Sequence, residues 1–82
     1  MVRAVMRNMQ ELADHGGCWS VNCKCDNQPS HHATKQVFVE ADDEETAKAI
    51  AIEATGLLPV NVRRWKPMTR PSGEGYVEVF TE

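Results

Sequence analysis

The sequence predicts a small single α+β domain spanning residues 1–82, in the order α-β-β-α-β-β, with a mostly antiparallel four-stranded sheet and its helices on one face. Three observations carry that expectation. The chain has only 82 residues, enough for one domain. Apolar residues recur at helical spacing in two stretches and alternate with polar ones in four others. No internal repeat, low-complexity tract or interdomain linker divides the chain.

The first helix is expected over residues 2–14. Val2, Val5, Met6, Met9, Leu12 and Ala13 fall on one face at a 3.6 period, with Arg3, Arg7, Asn8, Gln10, Glu11 and Asp14 around them. Gly16 and Gly17 suit a helix stop. Trp19, Val21, Cys23 and Cys25 then alternate with Ser20, Asn22, Lys24 and Asp26, the mark of a strand with one buried and one solvated face. Asp26 to Thr34 is polar and contains Pro29, which predicts a loop, and Val37, Val39 and Ala41 alternate with Phe38 and Glu40 in a second strand. Together they predict a hairpin with a long loop.

The second helix has the clearest boundaries. Asp42 is the expected N-cap, with Glu45 closing a capping box, and Asp43, Glu44 and Glu45 set negative charge against the positive end of the helix dipole. Ala47, Ile50, Ala51 and Ala54 form the core stripe, Gly56 is the expected left-handed cap, and Ile52 points away from the stripe. Val60 to Lys66 reads as a third strand, in which strict alternation would send Trp65 to the face opposite Val60 and Val62, and a bulge at Arg63-Arg64 would return it to theirs. Pro67 to Gly75 is turn-rich, and Tyr76 to Thr81 is the last strand.

Composition narrows the functional classes. The formal charge is −3, hydrophobic residues are 41% and charged residues 26%, with nine glycines and prolines together, which disfavours bulk disorder, collagen and coiled coil. A chain of this size buries roughly 60–65% of its unfolded surface, so its core is thin and a partner, a second copy included, would help it. No apolar run reaches the roughly 18 residues of a membrane span, and Arg3, Arg7 and Asn8 interrupt any secretory-type stretch at the start. Three cysteines in one short segment do not suit a secreted disulfide scaffold, so the cytoplasm is the expected compartment.

Four constellations carry candidate chemistry. Cys18, Cys23, Cys25 and His31, with His15 and His32 nearby, are zinc-type donors, but they lack paired Cys-x2-Cys knuckles. Inward strand cysteines also behave as small hydrophobes. Cofactors are therefore expected to be none, with zinc as the alternative. No nucleophile elbow, phosphate loop or dinucleotide fingerprint occurs, so an enzyme is not expected. Residues 57–73 carry Arg63, Arg64, Lys66 and Arg70 with no acid, and Trp65 among them could stack on a base. Residues 36–56 carry six acids against Lys48. Their densest stretch, Asp42, Asp43, Glu44 and Glu45, with Phe38 expected to be exposed nearby, is the candidate protein-binding surface, able to dock on a basic groove.

The run Gln36-Val-Phe-Val-Glu-Ala-Asp-Asp-Glu-Glu-Thr-Ala-Lys-Ala-Ile-Ala51, then Val60-Asn-Val-Arg-Arg-Trp65 and the terminal Tyr-Val-Glu-Val-Phe strand, resembles short phage and mobile-element proteins of anti-CRISPR type. The likeness is in layout: a strand, an acidic-capped alanine-rich helix, then a closing hairpin, over roughly residues 19–81. It implies a non-enzymatic protein that binds and blocks a bacterial effector, a host protein or ribonucleoprotein complex. The alternative is a nucleic-acid-binding regulator using the Arg63–Arg70 segment, with or without zinc.

Overall fold

The computed structural model describes residues 1–24, 34–67 and 75–82. Their elements are β1 (Arg3–Asn8), α1 (Met9–Asp14), β2 (Cys18–Lys24), β3 (Thr34–Val39), α2 (Glu44–Thr55), β4 (Pro59–Trp65) and β5 (Tyr76–Thr81). The strands form one sheet in the order β1-β5-β3-β2-β4. The α+β class is as expected. The sheet is not the four-stranded one of the sequence reading, because a fifth strand, β1, joins it, and β3 pairs with β5 in parallel. The other three pairings are antiparallel, and the β2–β3 hairpin forms with Trp19 opposite Val39.

Residues 2–14 are thus not one helix. Arg3 to Asn8 extend and pair with β5, from Arg3 opposite Thr81 to Asn8 opposite Tyr76. The side chain of Asn8 then accepts hydrogen bonds from the N–H groups of Gln10 and Glu11, at 2.9 and 3.3 Å, and so starts α1. A side chain that caps a helix stands outside it, which confines the helical stretch to the residues after Asn8.

Helix α2 crosses one face of the sheet. Ala47, Ile50 and Ala51 are buried against Val21, Cys23, Val37 and Val39, and Trp19, Val62 and Phe80 pack around them. Three alanines among the helix residues 47–51 leave little side-chain bulk, so the backbone can approach the strands closely. Each fully buried valine of that face contributes on the order of 1.5–3 kcal/mol of transfer free energy. The N-cap is Asp43 rather than Asp42: its carboxylate accepts the Thr46 N–H at 2.8 Å. Gly56 ends the helix at φ +71°, its N–H bonded to the Ile52 carbonyl at 2.7 Å.

The helices do not share a face. Leu12 of α1 packs with Cys18 and Val79, and with Val5, Phe38, Trp65 and Val77 around them. Strand alternation places these residues opposite Val21, Val39 and Phe80. The second face is therefore covered at Ser20 and around Leu12, whereas Asn22 is half-buried and Lys24 is exposed, as the Ser20-Asn22-Lys24 pattern suggests. Ser20 is only 2% exposed, and its hydroxyl accepts a hydrogen bond from Gln36 Nε2 at 2.7 Å. Of the two readings of the third strand, plain alternation holds and no bulge forms at Arg63-Arg64. The register shift falls between Asn22 and Cys23, opposite the start of β4, so Trp65 follows plain alternation onto the second face.

Candidate functional site

A cleft of about 600 Å3 opens where the end of α1, the start of β2, the β3–α2 connection and the end of β5 converge. Local chemistry shapes each wall. Gly16 and Gly17 turn the chain at φ +90° and +86°, conformations glycine adopts without cost, and deliver Cys18 to the floor. The Trp19 indole N–H donates to the Ala41 carbonyl at 3.0 Å and so fixes the chain entering α2. Arg64 lies over the Trp19 ring at 5.0 Å and donates through Nη2 to the Gly16 carbonyl at 2.8 Å. Arg7 holds Glu40 with two hydrogen bonds, and that partner raises the arginine pKa further.

Both arginines have partners, whereas Glu11 and Asp42 remain exposed at the rim of the cleft. Cys18 is 1% exposed, and burial, reinforced by the charge of Glu40, pushes its thiol up to about 11. At neutral pH it is a thiol and a poor nucleophile.

From Asp42 at the rim, the acidic residues run on into the start of α2. Asp42, Asp43, Glu44 and Glu45 are all exposed. Asp43 is committed to its cap, and the Thr46 N–H holds its carboxyl below the usual range. Lys48 lies 4.0 Å from Glu44 and 3.8 Å from Glu45. Phe38 is not the exposed aromatic expected from the sequence. Its ring sits 4.2 Å from that of Trp65, because both residues fall on the second face and cover each other there.

The basic segment is divided by its strand. Arg63 and Lys66 are exposed, Arg64 is held by Gly16 and Trp19, and Trp65 packs on Phe38; Arg70 lies outside the described residues. The zinc-type set is not brought together either. Cys23 belongs to the α2 face and Cys18 to the opposite one, while Cys25, His31 and His32 lie outside the described residues. Among the described residues no three metal-ligating side chains converge, and no helix is long and apolar enough to cross a membrane.

No family model matches this chain. A search of curated proteins and a search of solved structures likewise find no match. The cleft and the α2 start are therefore read from their own chemistry. Sequence reasoning found the acidic run, which is contiguous. It missed the Arg7–Glu40 and Arg64–Trp19 pairs, whose members are far apart in the chain and carry no local signal.

Proposed function

We propose that this chain is a small non-enzymatic protein-binding module and, in its most specific form, a phage-encoded inhibitor that occludes a bacterial defence effector of CRISPR-Cas type. The observation that carries the reading is the start of α2, where Asp42, Glu44 and Glu45 stand exposed around the Asp43 cap and, among the described residues, Lys48 lies near Glu44 and Glu45. A row of carboxylates on a rigid helix end offers a partner what a phosphate backbone offers, negative charge at fixed spacing, and a basic groove accepts either. The partner is then a host protein or ribonucleoprotein complex whose nucleic-acid groove is blocked, in the cytoplasm of the bacterial host. The buried, protonated thiol supports a reading in which Cys18 itself is not a nucleophile. The partner class rests on the layout resemblance of residues 19–81.

The nucleic-acid alternative has less support, because Arg64 is held within the chain and Trp65 is covered by Phe38.

The test is binding to purified CRISPR effector complexes at two salt concentrations, with DNA capture by the effector as the second readout. The wild-type chain should bind one of them and reduce its DNA capture. Reversing Asp42, Glu44 and Glu45 to lysine, with Asp43 kept so that α2 retains its cap, should weaken binding at least about tenfold and flatten its salt dependence. Undiminished binding by a folded triple variant removes the acidic surface from the mechanism. Unimpaired DNA capture by every effector tested overturns the inhibitor reading.

A further inference from the structure

We infer that the outer edge of β4, which no described residue pairs, is a docking site for an extended, carboxylate-bearing segment of another protein, added to the sheet as a sixth strand. β4 closes the sheet and pairs only with β2 among the described residues, so its other side is a template for strand addition. Pro59 has no N–H, and the register shift disturbs that end of the strand, which leaves Asn61 to Trp65 as the regular stretch. Within it Asn61, Arg63 and Arg64 are exposed. Arg64 is committed to Gly16 and Trp19, so Arg63, with Lys66 just beyond the strand, is the cation an incoming segment meets. Leu58 and Val60, 64% and 58% exposed, offer apolar contact where the strand begins.

Charge selects the occupant. Residues 57–67 hold Arg63, Arg64 and Lys66 and no acid, in a chain whose net charge is −3. The opposite edge, β1, has no acid and carries Arg3 as its exposed cation, Arg7 being held by Glu40. A second copy offering either edge would therefore set cation against cation, which natural sheets use to prevent self-pairing. An acidic strand meets its complement instead. This inference stands apart from the acidic α2 reading, since it uses a different element and the opposite charge.

The experiment is a titration of the full chain, followed by amide NMR, with a blocked eight-residue peptide alternating valine and glutamate. Two controls are the valine–lysine peptide and the valine–glutamate peptide N-methylated at alternate residues, which cannot complete a strand ladder. The expected result is a saturable shift of the amides from Asn61 to Trp65 with the glutamate peptide alone. Arg63→Glu, an exposed substitution, should weaken it about fivefold or more. Equal binding of the lysine peptide, equal binding of the N-methylated peptide, shifts centred elsewhere, or no shift at all would each overturn the inference. The same shifts produced by a single-stranded DNA oligonucleotide, and not by the peptide, would overturn it in favour of nucleic acid. None of these outcomes bears on binding through Asp42, Glu44 and Glu45.

Discussion

Arg7 donates to Glu40 through two hydrogen bonds, Nε to Oε2 at 2.8 Å and Nη2 to Oε1 at 2.9 Å, and so ties β1 to the chain just past β3. The fork geometry matches the carboxylate, but the two side chains are 43% and 26% exposed, so water and salt screen the pair. A double-mutant cycle with Arg7→Met and Glu40→Gln should show a favourable coupling that shrinks as salt is raised. Single-variant effects that simply add would show that the pair contributes nothing.

Gly17 should be the least replaceable of the described glycines. A Cβ there would overlap the backbone carbonyl of Trp65, at φ +86°. Gly17→Ala is predicted to cost about 3 kcal/mol or more in a urea melt. Gly16→Ala, at φ +90° with only the far end of Arg64 nearby at 3.8 Å, should cost about 1–2 kcal/mol. Equal losses at the two positions would contradict the close approach of Gly17 to β4.

Asp43 links the cap of α2 to pH. Its carboxyl is held below the ordinary 3.8, first by the Thr46 N–H. A depressed folded pKa means stability that is fully present above the unfolded value and lost as pH falls through the folded one. Asp43→Asn can accept the same hydrogen bond without titrating. Thermal midpoints measured from neutral pH downward should therefore fall less steeply for that variant than for the wild type below about pH 4.

Cys18 acts at the other end of the scale. Its thiol is pushed from 9.0 to about 11 by burial first and by the charge of Glu40 second. The unfolded chain gives up that proton earlier, so this contribution is present below pH 9.0 and is lost as pH rises toward about 11. Cys18→Ala should flatten the alkaline limb of a stability–pH curve. An unchanged alkaline limb would show that other groups dominate it.

Legibility from the sequence followed how local each determinant was. The body of α2 was readable because its acids, alanine stripe and Gly56 stop lie within one contiguous run, although the cap fell one residue later than expected. Residues 3–8 were not readable, because Val2, Val5, Met6 and Met9 satisfy a helical period and the consecutive apolar Ala4, Val5 and Met6 show no strand alternation, although only Val5 of the three packs inward. The partner that makes them a strand, β5, lies at the other end of the chain. The capping signal was nonetheless present, in Asn8 three residues before Glu11. The acidic surface could be found from spacing alone. The cleft could not, since its Arg7–Glu40 wall joins residues 33 positions apart.

The pairing of Arg3 with Thr81 also decides how the molecule yields to force. The two ends of the chain leave the sheet side by side, from neighbouring antiparallel strands. Tension applied through them loads the Arg3–Thr81 rung first and then each rung in turn, as in opening a zip, instead of shearing all six together. Such a geometry resists pulling weakly, however well the core beneath α2 is packed. The β1–β5 ladder should peel away in small steps before β2, β3 and β4 come under load.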